Sequence, residues 1–216
     1  MIQMPEAVYS SATLVTPTTE LEAVNIMLSG IGETPVNSLE EVTADVSVAS
    51  TILSETSKAV QLDGYQWNTE DNYPLTPDAK GQITLHPSIV RVAFREPDDR
   101  ELTMRGRRVY DRINHTYFFD TGTTIYVTVT LLLPFEELPE AARRYISIRA
   151  LRVFQERVVG SSTLSQFQQV DEARARVLML MEERKQDRPN MLTGTLPATG
   201  TWRPALTLQH RGLRRG

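Results

Sequence analysis

The chain reads as α+β: a four-helix bundle with a small antiparallel β-sheet inserted between its second and third helices, plus an extended C-terminal tail. Three observations predict this. Apolar residues recur at steps of three and four in two blocks, one ending at Gly64 and the other starting after Leu138. Between the blocks, short alternating runs are separated by Gly, Pro and Asp turns. Beyond Pro189 neither period continues. The expected divisions are an N-terminal arm at 1–18, a bundle at 19–64 and 136–188, a β-rich insertion at 65–135 and a basic tail at 189–216.

The first helix begins at Thr19, three residues before Glu22, the spacing of a capping box. Leu21, Val24, Leu28 and Ile31 then form one stripe. The stretch "LSGIGETPV" that follows contains Gly-x-Gly, but a phosphate loop must follow a strand and open a helix. Here the glycines close a helix and Pro35 prevents its continuation, so the reading is a helix terminus. The second helix spans about Thr43 to Leu62, with Val46, Ala49, Leu53, Thr56 and Val60 as its stripe and Gly64 ending the run.

Six strand-like pieces follow: Gln82–Leu85, Ile89–Phe94, Glu101–Arg105, Arg107–Asp111, Thr116–Phe119 and Ile125–Leu133. In the last, Ile125, Val127, Val129 and Leu131 face one way. The third helix starts around Leu138-Pro139-Glu140, with Pro in the first turn, and runs to about Val159. Its apolar residues nearly encircle it, which predicts a central position. The fourth spans about Leu164 to Arg188, with Phe167, Val170, Ala173, Val177, Leu180 and Met181 as the expected core stripe and Asp171, Glu172, Glu182 and Glu183 on the other faces.

Net charge is −4, unevenly distributed. From Pro189 onward there are four arginines and no carboxylate, leaving residues 1–188 at −8. An acidic body argues against a globular surface that grips DNA. Cysteine is absent, which removes disulfide and thiolate chemistry. No apolar run is long enough for a membrane helix, and no secretory signal is visible, so no membrane anchor is expected.

Chemistry is sparse. His86, His115 and His210 lack ligand-spaced partners, so neither a metal nor a cofactor is expected. Adjacent carboxylates such as Asp98-Asp99 do not make a converging pair across a cleft. The expectation is therefore no catalytic residues. Arg143, Arg149, Arg152 and Arg157 on the third helix admit three readings: a DNA-reading helix, a solvated face, or a subunit interface. The third would set them against Asp171, Glu172, Glu182 and Glu183 of a neighbouring copy, although they equally match those residues within one subunit. In the tail, Trp202 and Arg203, with Leu206, Leu208, Arg211 and Arg214, have the composition of a linear docking segment.

The blocks "ELEAVNIMLSGIGETPVNSLEE", "GYQWN", "VYDR" with "FDTG", "LPEAARRYISIRALRVFQERVVG", "DEARAR" and "NML", in that order across about residues 19–192, resemble the tail tubular protein A family of short-tailed bacteriophages. The resemblance implies a structural head-to-tail adaptor. Twelve copies would form a ring between the portal and the tail nozzle, in the virion tail, after assembly in the host cytoplasm. Genomic DNA would pass through without specific binding, and a tail fibre at the adaptor–nozzle junction is a further expected partner. The tail segment from Trp202 to Arg214 would dock on the portal. Two other classes are weighed beside it: a tail-associated glycan hydrolase using Asp98, Asp99 and Asp120, and a nucleic-acid-binding protein acting through the basic tail.

Overall fold

The structure, a computed structural model, describes residues 17–40, 43–94, 101–160 and 162–186, with side chains in the last helix from Gln168 to Lys185. Helix α1 spans Glu20–Ile31 and α2 spans Ala44–Gln61. Strands β1 (Thr69–Leu75), β2 (Ile89–Phe94), β3 (Leu102–Arg105), β4 (Arg108–Asp111) and β5 (Ile125–Leu131) follow. Helices α3 (Glu140–Val158) and α4 (Ser162–Gln186) complete it. Among the described residues the fold is thus four α-helices with small antiparallel sheets between the second and third. No helix among the described residues is long and apolar enough to cross a membrane.

Helix α1 starts where its capping box closes: Glu22 N donates to Thr19 Oγ1 at 3.2 Å, and Thr19 N to Glu22 Oε2 at 3.0 Å. It stops at Gly32, whose φ of 88° is the left-handed value that glycine adopts without strain. Gly30 has a different task. It lies inside the helix where α1 presses on α3, and a β-carbon there would overlap Leu151. Thr43 caps α2, and the five residues expected as its stripe are all buried.

Helix α3 is central, packing against α1, α2 and α4. Tyr145, Ile146, Ala150 and Phe154 fill the core with Met27 and Leu28 of α1 and Ile52 and Leu53 of α2. At ~25 cal/mol per Å² of apolar surface, burying each such side chain is worth about 1.5–3 kcal/mol before the entropy of ordering it. A second cluster, with Leu75, Ile83, Val109, Ile125, Val127 and Val129 among its members, lies within the β-rich part.

The main sheet has the order β1-β5-β2, all antiparallel, while β3 and β4 form a separate hairpin. Gln82–Leu85 and Thr116–Phe119, expected as strands, make only isolated bridges, such as Gln82 with Phe118. Strand β1 was not anticipated, because "TEDNYPL" carries two acids and a proline. It is an edge strand, where Pro74 loses no inner ladder bond. Asn72, at φ 56°, accompanies a register shift between Glu70 and Tyr73.

The chain leaves and re-enters the bundle at one neck. The buried Gln61 amide donates through Nε2 to Leu133 O at 3.1 Å, and its Oε1 accepts from Leu133 N at 2.7 Å. Buried Asn68 donates to Gln61 O and Leu131 O, both at 2.9 Å, and accepts from Tyr65 N at 2.8 Å. Two amides thus satisfy the backbone where helix turns into sheet.

One face assignment is corrected. The residues of α4 turned toward α3 include Ala175 and Met179, both buried, with Glu172 beside them. Of the expected core stripe, Leu180 packs against the core as expected, whereas Val170, Ala173, Val177 and Met181 are exposed. The α3 contact selects the other face because Arg149 and Arg152 offer Glu172 a partner and Ala175 permits close approach. The expected side chain of Phe167 lies outside the described side chains.

Candidate assembly surfaces

The arginines of α3 are largely engaged within their own chain. Arg143 is a strut at the helix start: Nε donates to Leu138 O at 2.7 Å, Nη1 to Thr18 O at 3.0 Å, and Nη2 to Glu136 O. Glu140 and Glu136 complete the corner by accepting from Thr18 N at 2.8 Å and Glu20 N at 3.0 Å. The beginnings of α1 and α3 are tied together there.

Arg152 Nε donates to Glu172 Oε2 at 2.5 Å, and its Nη1 to Glu156 Oε1 at 2.8 Å. Those bonds, led by the one to Glu172, hold its guanidinium above the ordinary pKa. Arg149 reaches the second oxygen of Glu172 at 3.8 Å and donates to Tyr145 Oη at 2.9 Å. Arg157 pairs with Glu55 of α2 at 3.3 Å. The α3–α4 pairing within one subunit, the alternative the sequence left open, is therefore present.

The other acids on α4 are arranged similarly. Glu183 Oε1 accepts from Gln66 N at 3.1 Å. Glu182 pairs with Lys185, and Asp171 with Arg174 at 3.7 Å; both pairs lie at the surface. Trp202, Arg203, Leu206, Leu208, Arg211 and Arg214 lie outside the described residues, as do Asp98 and Asp99. Asp120 stands exposed in a loop. Among the described residues no three His, Cys, Asp or Glu side chains gather as a metal site requires.

The surface that sequence reasoning missed is the outer face of α4. Val170, Val177 and Met181 are 51%, 49% and 52% exposed, a contiguous stripe at steps of seven and four. At 3.6 residues per turn, Arg174, Arg184 and Lys185 lie within about 60° of that line, whereas the four carboxylates of α4 lie about 100° or more away. The centre of the outer face is apolar with Arg174, Arg184 and Lys185 on its margins, Arg174 and Lys185 being ion-paired with Asp171 and Glu182 of the same helix. Periodicity picks out these residues as a stripe but carries no signal for which side of the helix a neighbour covers.

On α1 the outward residues make a contrasting surface. Thr18, Glu22, Asn25, Ile26 and Ser29 line an open groove, with Ile26 44% exposed. Its wall is fixed by Asn25, which donates to Val36 O at 2.9 Å and accepts from Val36 N at 2.8 Å. Between Pro17 and Gly64 the sequence holds eight carboxylates and one cation, Lys58. The α1–α2 layer is strongly acidic.

Comparison with known proteins bears on what such surfaces serve. A family model described as tail tubular protein matches residues 21–189. Over 170 residues the chain is 24% identical to tail tubular protein A of Klebsiella phage KP34, covering 78% of this chain and 89% of that protein.

Proposed function

The chain belongs to the tail tubular protein family and is a structural protein of a phage tail, located in the virion tail; from that membership we propose that it is the head-to-tail adaptor. In this reading it is not an enzyme. Copies close into a ring, twelve by the resemblance, that joins the portal to the tail nozzle and encloses part of the path along which DNA leaves the head. A tail fibre meets it at the adaptor–nozzle junction, and subunits gather in the host cytoplasm before assembly. The helical bundle (19–64 and 136–188) and the inserted sheet (65–135) are two structural units, each around its own apolar cluster.

The observation that supports this reading is the half-exposed outer face of α4, which no other described residue buries. A half-exposed line of Val170, Val177 and Met181 on a well-packed helix is what an assembling subunit presents. Exposed ends of Arg149, Arg157, Asp171 and Glu182 would lie at the rim of such contacts, where charges tune specificity more than affinity. The tail from Trp202 to Arg214 supplies the portal contact. An acidic body also favours a conduit, since each phosphate neutralised by the wall would hold DNA back.

The test is recruitment. Mixed with its cognate portal, the purified chain should form a complex whose native mass gives a whole ring of subunits. If the portal binds none, and particles lacking the protein still acquire tails, the adaptor reading is removed.

A further inference from the structure

We propose that the ring closes by seating the basic, apolar outer face of α4 in one copy against the acidic α1 groove of the next. This deepens the adaptor reading and rests on it. A closed ring of identical chains needs two different, complementary faces on each copy, because identical faces would stop at a dimer. The bundle has such a pair.

Both faces are built on α3. Helix α4 packs on α3, and so does the α1–α2 layer, while α4 makes little direct contact with either α1 or α2. The two surfaces are therefore carried by separate layers of one rigid core. The outer face of α4 offers Val177 and Met181 with Arg174, Arg184 and Lys185 around them. The groove offers Ile26 among the polar Thr18, Asn25 and Ser29, with Glu22 in the capping box at one end and exposed Glu33 just past the helix terminus. Val177 and Met181 would meet Ile26, and Arg184, flanked by the paired Arg174 and Lys185, would face the acidic α1–α2 layer, an apolar contact inside a charged rim.

Charge also argues against the alternatives. Two α4 faces would bring Arg174 and Arg184 of each copy together, and two α1 grooves would oppose carboxylates. Like-charge contacts of that kind are penalised, which directs the chain toward head-to-tail pairing. The inward carboxylates of α4 cannot substitute, since Glu172 is occupied by Arg149 and Arg152 and Glu183 by the Gln66 amide.

The absence of cysteine makes the experiment clean. Particles carrying Ile26→Cys together with Val177→Cys would be treated with a short bismaleimide crosslinker and resolved under denaturing conditions. The expected result is a ladder of multimers from the double variant and no dimers from either single variant. Thermal melting of the purified variants checks that both changes leave the fold intact, as surface substitutions usually do.

Dimers from Val177→Cys alone would mean that α4 meets α4, and would overturn the proposal. So would a ladder that appears only in chains ending at Arg188, because the tail of the same chain would then be what covers α4. Rings visible by cryo-microscopy whose double-cysteine chains stay monomeric remove this pairing alone. Particles in which no ring is found remove the adaptor reading itself.

Discussion

Gly30 of α1 lies against Leu151 of α3, whose side-chain end would have to shift to admit a β-carbon. The glycine carbonyl also accepts from Gln155 Nε2, so backbone and side chain of the two helices interlock there. Glycine inside a helix normally costs about 1 kcal/mol relative to alanine. Its presence here reflects close packing instead of local preference.

Gly30→Ala should therefore destabilise despite better helix propensity, by about 1–2 kcal/mol once overpacking is set against the gain. Adding Leu151→Ala should restore part of that loss, because the clash disappears. Urea denaturation of the two single variants and the double variant gives the coupling directly. Additive effects would show that the contact is not the cause.

Asn68→Ala should cost on the order of 3 kcal/mol, although the side chain is small. Its removal leaves Tyr65 N, Gln61 O and Leu131 O without that partner in a buried neck, and an unmet buried group typically costs about 1–3 kcal/mol. A lowered urea midpoint with unchanged slope is the expected observation.

Met179 and Met181 test which way α4 faces. Met179→Ala should cost about 2–5 kcal/mol, the range for a truncated core side chain. Met181→Ala should change stability by less than about 0.5 kcal/mol in the isolated chain. Equal losses would mean that the helix is rotated from the orientation described.

Reversing Arg149 and Arg152 together to Glu should weaken the subunit itself. Both arginines reach Glu172, whose side chain is only 16% exposed, so reversal places three carboxylates in one poorly hydrated site. A loss on the order of 3 kcal/mol is expected from a broken, mostly buried pair. Circular dichroism during heating should show it before any assembly assay does.

Tyr65 predicts an alkaline limit. It is buried, donates to Asp63 Oδ2 at 3.3 Å and stacks on Trp67 at 5.2 Å. Burial first, and then Asp63, push its phenol above the ordinary value. The fold holds the neutral form, so this contribution is complete below the unfolded pKa of about 10 and is lost as pH rises above it. Stability measured from pH 9 to pH 11.5 should fall in the wild-type chain and fall less steeply in Tyr65→Phe.

Sequence patterning made the helices legible because their signals are local. Thr19 with Glu22, Thr43, Gly32 and Gly64 mark ends through hydrogen bonds a few residues long. Strand β1 was hidden because its identity comes from β5, some 60 residues away, which supplies partners that "TEDNYPL" does not advertise. The α4 face was misjudged for a related reason. Periodicity finds an apolar stripe but does not say whether the same subunit covers it, and here Glu172 bonded to Arg152 marks the inward side. The paired charges of α3 and α4 were visible as a complementary set, but only the fold shows them joined within one chain.

Because β1 and β5 are antiparallel neighbours, with Thr69 opposite Thr130, the polypeptide departs from the helices and returns to them about 5 Å apart. Residues 69–131 therefore behave as a cassette hung from a single doorway. A change of length within that stretch would leave the scaffold behind it in place as long as Gln61 and Asn68 continue to hold the door frame.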